Sequence, residues 1–131
     1  YRTKPAAQLK LFGRVLARLE SSADGRLTWS IATEEDYLVS GATHEQSEGL
    51  IDLLSQAADA EVVVLFKDLD DGVRLSIRTR DEGVDATVLA QAYGGGGHAR
   101  AAGATCEGRL EDALGSVLGH AQRLIDELPA R

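Results

Sequence analysis

The run Val62-Val63-Val64-Leu65-Phe66 has no polar face. Successive side chains of a strand point to opposite sides, so this strand has to be buried on both. That requires helices above the sheet and helices below it, which places the chain among α/β layered domains. The 131 residues suffice for one such domain.

The rest of the chain supplies the layers. Pro5 suits the first turn of a helix, and Leu9, Phe12, Leu16 and Leu19 recur behind it at helical spacing, with Val15 widening the stripe. After an Asp24-Gly25 turn, Leu27, Trp29 and Ile31 alternate with Thr28 and Ser30, the pattern of a half-buried strand. Thr33 is placed as an N-cap for a short helix ending near Ser40-Gly41. A helix is expected over 45–58, with Leu50, Leu53, Leu54 and Ala57 facing inward. Asp71-Gly72 turns the apolar strand into a second one over 73–80, a hairpin. Asp85 should cap a helix running to about Tyr93. A glycine run, a short helical turn and a strand near 104–107 follow. The clearest helix comes last: Leu110, Ala113, Leu114, Val117, Leu118, Ala121, Leu124 and Ile125 share a face, and Pro129 stops it. The expected fold is a single small α/β domain, a mixed β-sheet flanked by helices, with a loosely packed N-terminal connector helix.

Charge narrows the partners. The formal net charge of −7 disfavours coating of long nucleic acid by electrostatics but leaves room for a small anion in one basic pocket. No apolar run approaches the twenty or so residues of a membrane span, and no signal peptide is visible, so no membrane partner is expected. The single cysteine, Cys106, excludes an internal disulfide and fits a cytoplasmic location. The chain contains no methionine and begins Tyr1-Arg2-Thr3-Lys4-Pro5, which suggests a piece of a longer protein.

Three features carry chemistry. On the strand 73–80, Arg74, Ser76, Arg78 and Arg80 share one face. Guanidinium forks in a line suit phosphate oxygens, although a solvated outer face would read the same way. Gly94-Gly95-Gly96-Gly97-His98 is a costly run to keep inside a folded domain. It permits backbone N–H groups to approach an anion, and His98 can add a side-chain hydrogen bond. Ala99-Arg100-Ala101-Ala102-Gly103-Ala104 reads as a short helix whose positive end faces that loop. His44, His120 and Cys106 read as surface or inert groups, and Asp68, Asp70 and Asp71 as turn residues. No metal cluster or nucleophile–base pair is present in the sequence, so catalysis by this chain alone is not expected.

In order along the chain, Glu48-Gly49-Leu50-Ile51-Asp52-Leu53-Leu54, Val73-Arg74-Leu75-Ser76-Ile77-Arg78-Thr79, Val84-Asp85 and Gly94 through Gly103 resemble the DHH-associated domain of the DHH phosphoesterase family. They are most similar to the bacterial enzymes that degrade short oligoribonucleotides and dephosphorylate 3′-phosphoadenosine 5′-phosphate. The resemblance implies a hydrolase in which residues 1–22 connect to an N-terminal DHH catalytic domain and residues 23–131 grip the substrate. The divalent metal, manganese in that family, would sit in the catalytic domain, with no cofactor in this chain. Carried over by position, Arg78 contacts the substrate phosphate or sugar, Gly95, Gly96 and Gly97 form the close-approach loop, and His98 lies near the scissile phosphate. Ser76 and Thr79 act as supports. Arg80 and Arg100 join the site on charge and location, and Gly94 as the first residue of the glycine run. The resemblance also allows a homodimer of the full-length protein.

Other readings stay open at this level. The parent could cleave cyclic dinucleotides or be a RecJ-type single-strand exonuclease, and a non-catalytic RNA-binding module related to the alanyl-tRNA synthetase C-terminal domain is an alternative of another class.

Overall fold

The computed structural model describes residues 6–57 and 59–129. The doubly buried strand stands near the middle of a six-stranded mixed sheet, in the order β1-β2-β3-β4-β6-β5. These strands are β1 (Glu20–Ser21), β2 (Leu27–Thr33), β3 (Val62–Leu69), β4 (Gly72–Thr79), β5 (Gly96–His98) and β6 (Ala101–Cys106). Only β2 and β3 run parallel; every other neighbouring pair is antiparallel. The helices are α1 (Ala6–Leu16), α2 (Glu34–Ser40), α3 (Leu50–Ala57), α4 (Ala86–Gln91) and α5 (Leu110–Asp126).

The expected two layers are present. Val62, Val64 and Phe66 pack with Ile77, Leu89, Val117 and Ile125 beneath α4 and α5. Val63 and Leu65 pack on the opposite side with Leu11, Val15, Leu50 and Leu54 of α1 and α3. Each fully buried leucine, isoleucine or phenylalanine contributes about 1.5–3 kcal/mol of burial, so the sheet is fixed from both sides.

Several local expectations need correction. The expected stripe on α1 is displaced: Leu11, Phe12 and Val15 are buried while Leu9 is largely exposed. Arg14 of α1 and Arg18 in the turn that follows it both donate to Asp36 of α2, and that anchor sets which face of the helix turns inward. The helix is therefore part of the second core and is not loosely packed. Its proposed start at Pro5 lies outside the described residues. Strand β2 is buried on both faces. Thr28 and Ser30 are more enclosed than Trp29 and Ile31, and the hydroxyls are satisfied by Ser21 at 3.0 Å and by the Val15 carbonyl at 2.6 Å.

The helix expected over 45–58 is two pieces, a 3₁₀ turn at His44–Ser47 and α3. Gly49, at φ 88°, separates them. The inward orientation proposed for Ala57, and the stretch at Ala58, lie outside the described side chains. The hairpin between β3 and β4 forms, but Leu69 pairs with Gly72, so its two-residue loop is Asp70-Asp71. The N-caps at Thr33 and Asp85 are as expected, the first with a full capping box through Asp36. The glycine segment departs furthest: β5 and β6 form a hairpin in place of the helical turn.

Candidate ligand-binding face

Strand β4 has two unlike sides. Val73, Leu75 and Ile77 enter the core beneath α4 and α5, so Arg74, Ser76 and Arg78 face the other way. On that side α3 packs on β3 and reaches β4. Beyond it the sheet is open: Gly96 and His98 are exposed, and Ala101 and Gly103 half-buried. The register brings the sequence-predicted residues to this opening. Arg78 pairs with Ala101 and Ala101 with His98, while Ser76 pairs with Gly103 and Gly103 with Gly96. Directly paired residues share a face. Arg78 and His98 therefore stand on one side, two strand spacings or about 10 Å apart along the backbone.

The four glycines serve different ends. Gly94 has φ 79°, a conformation that costs any other residue. A side chain at Gly95 would meet the Gly103 carbonyl oxygen at 2.0 Å, and one at Gly97, where φ is 144°, would meet the Ala101 carbonyl at 2.7 Å. These three are required by the hairpin itself. A Cβ at Gly96 meets nothing within 4 Å, so no contact among the described residues demands a glycine there. The expectation of a helix aimed at this loop fails. Residues 99 and 100 form the hairpin turn, and the small residues after them make a strand onto which the Gly95 backbone presses. Thr79 holds that turn, its hydroxyl donating to the Ala99 carbonyl at 3.0 Å and its N–H to the Arg100 carbonyl at 3.1 Å.

The arginines are not equivalent. Arg78 donates through Nε to Asp52 of α3 at 2.9 Å and through Nη1 to its neighbour's carbonyl at 3.1 Å, leaving Nη2 without a partner among the described residues. Arg80 lies past the end of β4 and faces two carboxylates, Asp59 at 3.5 Å and the buried Glu61 at 3.9 Å. Arg100 donates through Nη1 to the Arg80 carbonyl, and no carboxylate lies within ion-pair distance of it among the described residues. Between the end of α3 and β4–β6 these groups enclose a cavity of about 410 Å³, lined by Ser55, Arg78, Thr79, Arg80, Arg100 and Ala101 among others. Arg74 stands apart, paired with Asp71 at 3.3 Å.

Asp52 is a functional residue that sequence reasoning misses. Its signal was weak: Asp52 and Ser55 lie three apart on one helix face, but nothing in sequence says that this face looks onto Arg78. The pair is partly exposed, so its direct energy is small. Its effect is to hold the guanidinium over the open face. Replacing Asp52 by alanine should leave the melting temperature within about 2 °C and weaken phosphate binding roughly three- to fivefold, about 1 kcal/mol, by titration.

The remaining candidates are inert. Burial pushes the Cys106 thiol up from its ordinary value, against nucleophilic use. His44 stacks on Tyr37 at 4.2 Å and sits 3.3 Å from Glu34. Among the described residues no three His, Cys, Asp or Glu side chains converge as a metal site would require, so no step is assigned to a metal here. No helix is long and apolar enough to cross a membrane among the described residues.

The family model of the DHHA1 domain matches residues 21–127. The chain belongs to the DHHA1 domain family. Over 116 residues it is 34% identical to the bifunctional oligoribonuclease and PAP phosphatase NrnA of Thermus thermophilus, covering 88% of this chain and 34% of that protein. This DHHA1 domain thus spans about a third of the curated relative it matches. In three dimensions it is similar to an exopolyphosphatase-related protein from Bacteroides fragilis, with a TM-score of 0.83 at 22% identity over 97% of this chain and 38% of that one. It is also similar to the pGpG-specific phosphodiesterase PggH from Vibrio cholerae, with a TM-score of 0.59 at 14% identity over 93% and 40%. At these identities the two structures speak for the fold. Family membership and the α/β fold read from the sequence are both borne out.

Proposed function

We propose that this DHHA1 domain holds the phosphate–sugar end of a short oligoribonucleotide or of 3′-phosphoadenosine 5′-phosphate for a metal-dependent DHH catalytic domain linked on its N-terminal side. The divalent metals of that reaction, manganese in this reading, belong to the catalytic domain. One observation carries the reading: Arg78, Ser76, Gly96 and His98 share the uncovered face of the sheet, beside the cavity that Arg100 and Arg80 line. The relative's double activity on oligoribonucleotides and PAP supplies the substrate class.

Each residue then has a task. Arg78, steadied by Asp52, presents its free edge to phosphate oxygens. Gly96 keeps the face low enough for a sugar or base to lie against it. His98 hydrogen-bonds at the rim, and Thr79 keeps the hairpin turn in place. Arg100 adds charge to the cavity. Arg80, already facing Asp59 and Glu61, contributes least to binding.

The test is titration of 5′-phosphorylated RNA dinucleotide and of 3′-phosphoadenosine 5′-phosphate into the protein and its Arg78→Ala and His98→Ala forms. A charge-assisted hydrogen bond is worth about 1.5–3 kcal/mol, so Arg78→Ala should lose at least roughly tenfold in affinity for both ligands. Equal affinities in all three proteins would overturn the reading.

A further inference from the structure

The open face holds a second concentration of positive charge that the function proposed above does not use. Lys67 of β3 is paired directly opposite Arg74 of β4. Lys67 lies in the same alternation as Val63 and Leu65, so both cations emerge on the side that carries Arg78. Like charges directly opposite one another on neighbouring strands are destabilising. Lys67 is moreover half-buried, and its ammonium is pushed below its ordinary pKa by burial first and by Arg74 second, with Glu48 acting the other way. Among the described residues the one carboxylate paired with Arg74 is Asp71, at 3.3 Å, and both side chains of that pair are more than half exposed, so it offsets little. The chain keeps an unfavourable pair that a polyanion would relieve.

The spacing says what kind of anion. Arg74 and Arg78 are four residues apart on β4, about 14 Å at roughly 3.4 Å per residue. Between them the face is low and uncharged: Ser76, then Gly103 and Gly96 in register. A stacked strand advances about 3.4 Å per nucleotide, so the gap matches about four stacked nucleotides and fewer when the strand is extended. Both phosphates of 3′-phosphoadenosine 5′-phosphate are on one ribose and cannot span it.

We propose that Lys67 and Arg74 form a second phosphate subsite, which makes the domain's preferred ligand an oligonucleotide of about two to four residues lying across the Ser76–Gly103–Gly96 strip. This rests on the nucleotide-holding function proposed above. The strip accepts a sugar or base edge without charge, and the two cationic ends fix the register of the strand.

The experiment compares 5′-phosphorylated RNA tetranucleotide with 3′-phosphoadenosine 5′-phosphate, titrated at several salt concentrations into the protein, a K67Q/R74Q form and Arg78→Ala. The tetranucleotide should bind at least tenfold tighter than the mononucleotide. K67Q/R74Q should remove that advantage, leave the mononucleotide unchanged, and flatten the salt slope for the tetranucleotide by about 0.7 for the phosphate released. Its melting temperature should not fall, because a repulsion has been removed. If K67Q/R74Q binds the tetranucleotide as the parent does while Arg78→Ala still weakens both ligands, the second subsite is overturned and the first stands. If Arg78→Ala changes neither ligand, or the parent binds neither, both proposals are overturned together.

Discussion

Replacing Asp36 with alanine should lower the unfolding free energy by about 3 kcal/mol and the melting temperature by roughly 10 °C. Asp36 is fully buried. It accepts from Arg14 at 2.7 Å, from both terminal nitrogens of Arg18 at 2.6 Å, and from the Thr33 backbone at 2.8 Å. One carboxylate thus anchors α1 to α2 and completes the cap of α2. The two arginines are about a third exposed and can rehydrate, which keeps the loss at the lower end for a buried pair. Burial alone would raise the Asp36 pKa, but hydrogen bonds from Arg18, Arg14 and Thr33 outweigh it and hold the carboxyl well below its ordinary range. A folded pKa below the unfolded one means that the unfolded chain binds the proton first, so stability rises with pH in that window. The contribution is complete above the unfolded value of about 4 and is lost as pH falls towards the folded one. Chemical denaturation from pH 7 down to pH 3 should show this acid limb in the parent and a shallower one in Asp36→Asn. An unchanged limb would mean that α1 is held by its apolar contacts alone.

That anchor also marks where sequence reasoning stops. The doubly buried β3, the β3–β4 hairpin, both caps and α5 could be read because each depends on spacing along a single element. The face of β4 that carries Arg78 follows from simple alternation. The inward side of α1 could not be read, because it depends on an ion pair with a residue eighteen to twenty-two positions away. Nor could the partners that divide the arginines: Asp52 steadies Arg78, and Glu61 with Asp59 engages Arg80, through contacts made only when α3 and β3 come together. The segment after the glycines failed for a different reason. Ala-Arg-Ala-Ala has high helix propensity, but a free edge on β4 and the close approach of Gly95 to Gly103 make a strand the better use of the same small residues. Propensity lost to pairing.

The glycine run itself should divide cleanly when mutated. Gly95→Ala places a methyl 2.0 Å from the Gly103 carbonyl oxygen and 2.6 Å from the Ala104 Cβ. The carbonyl is backbone of a paired strand and Ala104 packs against the core, so neither can yield without moving β6. Such overpacking costs about 3 kcal/mol, roughly 10 °C in melting temperature, and ligand affinity should fall with it because β5 carries His98. Gly96→Val meets the opposite circumstances. Its Cβ finds open space and its backbone is not left-handed, and a β-branched residue suits a strand. Stability should therefore hold or rise by about 0.5–1 kcal/mol, since the unfolded chain loses freedom. The new side chain nevertheless stands beside Gly103 and Ser76 on the open face, where the ligand is proposed to lie, and affinity for short 5′-phosphorylated RNA should drop at least roughly tenfold. Thermal melts paired with titrations decide it. A Gly96→Val protein that is stable and binds normally would mean the ligand does not cross this strip, whereas a destabilised one would mean that Gly96, like its neighbours, serves the hairpin.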